Sequence, residues 1–336
     1  MVQFVPVFSF RSYGPRRERR KMNYTEFVCA VEKSMSMKMK EGVKVSSYTA
    51  VKNNGRERTG IIVETPGVNI SPTIYLEEYY QCYQSGKNLE EIVEDIRSFY
   101  ESIRKEESLD YKKILSYEGV KDRIVFKLIN TEKNREFLKT VPHTDILDLS
   151  VVFYALLEVS REGAAMMTIC ENHLRQWDIG RDVLWKAAEE NVRRILPAEL
   201  FTMRHALNEI VGSAEAGSDE GNLLDGGDGE RDRMYVLTNR MRSYGAACIA
   251  YPYIPGMIGE TLGSDYYILP SSVHEVMIVP ACGGLDGEEL EEMVREINAT
   301  QVAEEELLSD HIYYYERRTG CLRMFDPAGK RKEGVR

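Results

Sequence analysis

Apolar residues recur at three- and four-residue intervals along residues 22–41, a spacing that predicts an amphipathic helix. The positions are Tyr24, Val28, Val31, Met35 and Met39. Asn23 and Glu26 stand three residues apart just before this run, as in a helix capping box. We therefore expect a folded domain to begin at Met22.

The pattern then alternates between strand-like and helix-like segments up to residue 211. Strands are predicted at residues 43–51, 60–64, 123–129, 146–154, 163–169 and 197–203, which are rich in β-branched and apolar residues. Helices are predicted at residues 71–85, 88–106, 171–177 and 181–195. Asn54 and Gly55 indicate a type I′ turn, and Ser71 followed by Pro72 indicates a helix start.

Residues 212–233 interrupt this order, with six glycines, seven acidic residues and two arginines. Such a composition buries too little apolar surface to offset its ordering entropy. We expect a solvated acidic linker at residues 212–232. A calcium loop is the alternative, but residues 225–228 (DGGD) lack the alternating ligands of an EF-hand.

Short elements return after the linker and predict a ββαββαββ order over residues 233–327. The strands are expected at residues 234–239, 245–251, 265–269, 273–279, 311–317 and 321–326, and the helices at 255–262 and 287–299. The predicted fold class is α+β, with mainly antiparallel sheets, helices packed on one face, and two lobes (residues 22–211 and 233–327) joined by the linker. A frayed tail is expected at residues 328–336.

Charge is unevenly distributed over the 336 residues, whose formal net charge is −10. Residues 1–21 carry +5, which leaves −15 for the remainder and disfavours nonspecific attraction of nucleic acid to the acidic body. In residues 1–21 the apolar run precedes the basic run, the reverse of a secretory signal. We interpret them as a disordered or mis-called extension, or alternatively as a basic tail that contacts a membrane or nucleic acid. No apolar run reaches the length of a membrane span.

The six cysteines form no CxxC pair, so neither a zinc pattern nor a compact disulfide framework is indicated. Cys29, Cys82 and Cys248 lie in apolar runs and are expected to be buried thiols in a reducing cytoplasm. A zinc site assembled from distant residues would draw on His143, Asp145, His173 and His274, without any supporting spacing. We predict no metal and no cofactor.

Chemically capable side chains crowd together near residues 269–275 (LPSSVHE). The candidates are Asp265, Ser271, Ser272, His274 and Glu275. A hydroxyl, an imidazole and an acid are the groups of nucleophilic catalysis, but no GxSxG motif surrounds either serine. Alternatively, the serine hydroxyls satisfy backbone amides at a strand break, or the segment is a binding surface.

Four segments carry a resemblance to a known family: residues 237–240 (LTNR), 244–247 (YGAA), 268–275 (ILPSSVHE) and 302 onward. With them, the chain resembles a bacterial family that carries a domain of unknown function, number 5688 in that series, over residues 23–326. The resemblance implies cytoplasmic bacterial proteins often encoded near mobile elements. It transfers no catalytic residue, substrate or cofactor.

These observations favour a noncatalytic interaction or regulatory protein with a protein partner, in the cytoplasm and without membrane attachment. The support is an acidic surface, the absence of a complete catalytic motif and tyrosines that can serve as contact anchors. The alternative is a small hydrolase or transferase. Its pocket would use Ser271, Ser272, His274 and Glu275, with Asp265 or Arg240 nearby.

Overall fold

The computed structural model describes residues 21–66, 71, 73–103, 116–160, 163–211, 222–225, 233–284 and 286–327. Within them the fold is α+β with mainly antiparallel sheets, which confirms the predicted class. The extension at residues 1–20, the tail at 328–336 and most of the predicted linker lie outside the described residues. In the described part of the chain, no helix combines the length and apolarity needed to cross a membrane.

The regular elements are as follows. The α-helices are α1 (Tyr24–Lys38), α2 (Glu77–Gln84), α3 (Leu89–Ile103), α4 (Tyr117–Val120), α5 (Arg135–Leu138), α6 (Glu171–Trp177), α7 (Arg181–Ile195), α8 (Met203–Val211), α9 (Ile254–Leu262) and α10 (Gly287–Thr300). The strands are β1 (Lys44–Val51), β2 (Glu57–Glu64), β3 (Thr73–Tyr75), β4 (Ile124–Asn130), β5 (His143–Ile146), β6 (Leu149–Ser160), β7 (Gly163–Thr168), β8 (Ala198–Thr202), β9 (Tyr235–Asn239), β10 (Tyr266–Leu269), β11 (Val276–Pro280), β12 (Tyr313–Glu316) and β13 (Cys321–Met324).

The chain forms two compact units whose boundaries differ from the predicted lobes. Unit 1 comprises residues 1–121 and 155–168, and unit 2 comprises residues 122–154 and 169–336. Part of the difference follows from the sheet of unit 2, where β8 pairs with β9 in antiparallel register although the predicted linker separates them in sequence.

Unit 1 contains an antiparallel sheet of order β1-β2-β3 and the long helices α1 and α3. Its core includes Phe27, Val31, Ile61, Ile92 and Ile96, all fully buried. The β1–β2 connection places Asn54 at φ 58° and Gly55 at φ 70°. Positive φ at two successive residues is what a type I′ turn requires, so the Asn-Gly signal is confirmed.

The capping box at the start of α1 is confirmed as well. The side chain of Asn23 accepts a hydrogen bond from the backbone N–H of Glu26, and the Glu26 carboxylate accepts one from the N–H of Asn23, both at 2.9 Å. Two N–H groups that the helix itself leaves unpaired are thereby satisfied.

Replacing Asn23 with alanine should lower the free energy of unfolding by about 1 kcal/mol, because one of these N–H groups loses its acceptor. Urea unfolding followed by circular dichroism measures the change. Asn23→Ser retains a capping oxygen and should preserve most of the stability. An equal loss in the two variants would contradict the capping role.

Unit 2 is built on a six-stranded sheet of order β13-β12-β10-β11-β9-β8. One apolar cluster joins α10 to this sheet through Leu269, Val279, Leu290, Val294 and Ile312, all fully buried. A second cluster is aromatic, with ring centroids 5.4–6.4 Å apart. Its members are Phe126, Phe153, Trp185 and Tyr251.

Two predicted elements are wrong. The helix predicted at residues 71–85 starts later, since residues 73–75 form β3, paired with β2, and α2 begins only at Glu77. Pro72 lies outside the described residues. Residues 245–251 are not a strand, because Gly245–Ala250 is a 3-10 helix. The expected order ββαββαββ therefore loses its second strand.

Two narrower expectations also change. Strand β11 begins at Val276, so Val273 and His274 precede it. Among the three cysteines expected to be buried, Cys248 is buried, Cys82 is half-buried and Cys29 is exposed. Cys29 differs because it lies on the solvent side of α1, whose buried residues occupy the opposite stripe.

Residues 222–225 differ from the expected solvated linker. Leu223–Asp225 form a 3-10 turn in which Leu223 is buried. The Asn222 amide accepts from the backbone N–H of Leu200 at 2.8 Å and donates to the carbonyl of Ala198 at 3.0 Å. This point of the segment is therefore attached to β8.

Candidate functional site

Three of the segments that carry the family resemblance meet at one corner of unit 2. The Thr238 hydroxyl, at the end of β9, donates to the carbonyl of His274 at 2.8 Å. The backbone N–H of Tyr244 donates to His274 Nδ1 at 3.3 Å, and that of Ala246 donates to the carbonyl of Val273 at 3.3 Å. We name this cluster, comprising Thr238, Asn239, Tyr244, Gly245, Ser272 and His274, the His274 corner.

Gly245 permits the close approach of these backbones. A Cβ atom at this position would lie 2.1 Å from Thr238 Oγ1, 2.6 Å from the backbone N of Asn239 and 2.6 Å from the carbonyl oxygen of His274. Such distances are far inside van der Waals contact. Only glycine therefore fits where the 3-10 helix passes between β9 and the His274 segment.

A single amide organises the loop at residues 239–244. Asn239 is fully buried, and its Oδ1 accepts from the N–H of Met241 at 3.0 Å and of Ser243 at 3.4 Å. Its Nδ2 donates to the carbonyl of Ser243 at 2.8 Å. These bonds hold Arg242 and Tyr244 at φ 53°, a left-handed conformation that costs roughly 1–2 kcal/mol for a residue with a side chain. Strain of this kind is concentrated at functional sites.

Tyr244 is surrounded by aromatic and cationic groups. Its ring stacks on His274 at 5.5 Å and meets Tyr154 edge-on at 6.1 Å. The ammonium group of Lys127, from β4, lies 4.4 Å from the centroid of the Tyr244 ring. This distance is within the range of a cation–π interaction, so Lys127 is held at the edge of the corner.

The contacts of His274 assign its tautomer. Because Nδ1 accepts from the backbone of Tyr244, the neutral ring carries its proton on Nε2. Nε2 lies 3.6 Å from the Glu306 carboxylate, and the two side chains are 29% and 47% exposed. The corner thus presents a polar imidazole edge and an acidic group to solvent.

The structure brings Ser272 and His274 together, but through the backbone. Ser272 is buried, and its Oγ accepts from the backbone N–H of His274 at 3.0 Å. The carbonyl of Ser271 accepts from the N–H of Leu308 at 3.0 Å, and Glu275 is exposed. In this arrangement a serine hydroxyl satisfies a backbone amide at a strand break, as the noncatalytic alternative predicts.

Asp265 lies elsewhere, because β10 separates it from residues 270–275. Its Oδ2 accepts from the Tyr314 hydroxyl at 2.7 Å and its Oδ1 accepts from the backbone N–H of Arg317 at 2.9 Å. Burial and the hydrogen bond to Asp265 raise the pKa of Tyr314. Asp265 therefore joins strand β10 to the β12–β13 hairpin and is not part of the His274 corner.

The sequence-based candidates did not include Lys127, Tyr244 and Glu306. Tyr244 stands in the YGAA segment, so the resemblance contained a signal for it. Lys127 and Glu306 come from segments far from His274 in the chain, and nothing in their local spacing marks them. Arg240 is exposed, and its backbone N–H donates to the carbonyl of Pro197 at 3.1 Å.

The histidines proposed as metal ligands are engaged in other contacts. The described ranges of the chain contain no group of three or more His, Cys, Asp or Glu side chains that could hold a metal ion. His143 Nδ1 is 3.0 Å from the carbonyl of Val141, and His173 Nδ1 accepts from the N–H of Cys170 at 3.0 Å. Burial lowers the pKa of His173.

Comparison with known protein families identifies the family of this chain. The model of a family described as a family of unknown function (DUF5688) matches residues 24–317. Neither the curated proteins nor the solved structures contain a match.

Proposed function

The chain belongs to the family of unknown function DUF5688, and from that premise we propose that it is a noncatalytic interaction or regulatory protein that acts by binding a protein partner. We place it in the bacterial cytoplasm, in the genetic context of mobile elements. The observation that carries the proposal is that the polar side chains of the His274 corner bond to the backbone. Thr238, Asn239 and Ser272 direct their side chains to the backbone and thereby build a rigid surface.

The groups that this surface presents suit recognition of a protein. Tyr244 is half-buried and fixed by its backbone conformation, and the ring of His274 stacks on it. Arg240 is exposed and directly follows Asn239 in the chain. Aromatic rings and arginines are the residue types that dominate binding energy at protein interfaces. A surface that is already rigid also loses little conformational entropy on binding. The strain at Tyr244 is thus accounted for as preorganisation.

Exchanging Arg240 and His274 together for alanine should weaken partner binding about thirtyfold, the effect of removing one interface hot spot. The full chain would be immobilised and a cytoplasmic extract of the native bacterium passed over it, with quantitative mass spectrometry of the retained proteins. Affinity would then be measured with the purified partner. Lys186→Ala is the control, since Lys186 is an exposed residue of α7.

Two outcomes separate the possibilities. A partner retained by wild type and by Lys186→Ala, but not by the double variant, supports the proposal. Equal retention by all three proteins would move the interaction away from the His274 corner. Unchanged circular dichroism and unfolding midpoints show that the double variant remains folded.

A small hydrolase or transferase is the second candidate, and the half-exposed His274–Glu306 pair favours it. An acid next to an imidazole is one half of a nucleophilic catalytic arrangement. A panel of ester, amide and phosphoester substrates tests it. Turnover that disappears in His274→Ala, with the fold intact, would replace the binding proposal.

A further inference from the structure

A groove of about 600 Å³ opens in unit 2, away from the His274 corner, between the end of α9 and the turn after β12. Its walls include Gly256, Glu260, Ser264, Tyr315, Arg317 and Arg318. The volume lies within the range of small-molecule sites, about 300–1,000 Å³. The groove is therefore large enough to hold a small metabolite.

Backbone and packing contacts hold the basic side of this groove in place. The N–H of Arg317 donates to Asp265 Oδ1 at 2.9 Å. The stem of Arg317 lies on α9, since a Cβ at Gly259 would be 3.3 Å from Arg317 Cγ and 3.2 Å from Tyr315 Cε1. The guanidinium of Arg317 is thus carried to the groove wall by a fixed stem.

Polar groups on the groove are left without partners among the described residues. Ser264 Oγ is buried and makes no hydrogen bond there. Glu260 and Arg317 are exposed, and within the described chain neither side chain forms an ion pair. An unsatisfied buried hydroxyl costs roughly 1–3 kcal/mol, and rotation about its single χ1 bond is enough to turn it toward a ligand.

The charges on the wall have both signs, and the acidic groups are Glu260 and Asp265, the latter already bonded to Tyr314 and to the backbone N–H of Arg317. Arg317 and Arg318 supply planar guanidinium groups, which bind carboxylates through paired hydrogen bonds. Glu260 lies in the last turn of α9, which ends at Gly263 with φ 69°, so the partial negative charge of the helix C-terminus adds to its carboxylate. Tyr315 contributes an aromatic ring to the same wall.

We propose that this groove binds a small zwitterion, a free α-amino acid, with its carboxylate on Arg317 and its ammonium group near Glu260 and the end of α9. The site is independent of the His274 corner. A purely anionic ligand would meet Glu260 and the helix C-terminus, and a purely cationic one would meet two arginines. A zwitterion places an opposite charge against both the arginine side and the glutamate side of the groove.

Isothermal titration of the full chain with L-alanine, L-leucine, L-phenylalanine, L-glutamate and L-lysine tests the proposal. At least one should bind saturably at millimolar concentration or below. Arg317→Gln and Glu260→Gln should each weaken that binding about tenfold or more, because each removes one charged contact. Arg295→Gln and Glu292→Gln, at exposed positions of α10, are the matched controls and should leave affinity unchanged.

Derivatives of the bound amino acid identify its contacts. The methyl ester should lose affinity for wild type but little more for Arg317→Gln, and the N-acetyl form should behave likewise with Glu260→Gln. Absence of binding by all five amino acids would overturn the proposal. So would equal binding of inorganic phosphate, or affinities that do not change in either groove variant.

Discussion

Raising the pH above about 10 should unfold this protein in a steep transition, since buried tyrosines must then ionise. Burial raises the pKa of several tyrosines in unit 2: Tyr154, Tyr251, Tyr266 and Tyr313. For Tyr313 the negative charge of Asp148, whose Oδ1 accepts its hydroxyl at 2.6 Å, adds to the effect of burial. In unit 1, burial likewise raises the pKa of Tyr24 and Tyr79.

The direction follows from proton binding. Below about pH 10 the folded and unfolded chains both keep these hydroxyls protonated, and the stability is fully present. Above that value the unfolded chain releases the protons while the folded chain retains them. Each such tyrosine then lowers the free energy of unfolding by about 1.4 kcal/mol per pH unit. Several acting together form the largest pH effect that we expect.

Urea unfolding at a series of alkaline pH values measures this slope, with near-ultraviolet absorbance reporting tyrosinate. Tyr154→Phe keeps the ring and removes one hydroxyl, so the slope should become less steep by about 1.4 kcal/mol per pH unit. Tyr48→Phe is the control, because Tyr48 is exposed on β1. Tyrosinate that appears gradually, well before the circular dichroism is lost, would contradict the expectation.

Gly245→Ala should destabilise unit 2 by about 3 kcal/mol, the upper end of the usual cost of overpacking. The new methyl group would meet backbone atoms of Asn239 and His274 at 2.6 Å, and backbone yields less readily than a side chain. The His274 segment would have to move away from β9, which would break the hydrogen bond from Thr238 to the His274 carbonyl.

The same substitution in α9 provides the comparison. At Gly256 the nearest atom to an added Cβ is the Tyr315 hydroxyl, at 3.7 Å, so Gly256→Ala should be neutral or slightly stabilising. Denaturant unfolding of both variants, and the NMR signals of the His274 ring, test the pair. If Gly245→Ala were as stable as Gly256→Ala, the close approach at the corner would be wrong.

Local signals predicted those elements that local interactions determine. The limits of α6 and α7 agree with the predicted 171–177 and 181–195, because each helix has an amphipathic repeat between recognisable ends. The Asn54–Gly55 turn and the Asn23 cap were predicted for the same reason. Each depends on atoms within a few residues of one another.

The errors occur where contacts with distant parts of the chain determine the secondary structure. The Ser71–Pro72 signal was followed by a strand because residues 73–75 pair with β2. The apolar run at 245–251 has strand-like composition, yet the left-handed Tyr244 and the packing of Gly245 against β9 turn it into a 3-10 helix. Neither the strand pairing nor the glycine packing can be predicted from local propensity.

The candidate site shows the same division. Ser272 and His274 are near neighbours in sequence and also in space, but Lys127 and Glu306 reach the corner from other elements. Asp265, which stands close to them in sequence, is carried away because a strand extends about 3.3 Å per residue. Short spacing in sequence was therefore a poor guide to which groups cooperate.

Asn222 acts as a one-residue substitute for a seventh strand. Beyond β8 the sheet of unit 2 would expose main-chain N–H and C=O groups, the template on which a foreign chain can add itself. The carboxamide occupies the donor of Leu200 and the acceptor of Ala198 with the geometry that a neighbouring backbone would use. Deamidation of Asn222 would replace its donor with a second acceptor opposite the Ala198 carbonyl. The edge strand β8 would then be exposed, and a second chain could pair with it.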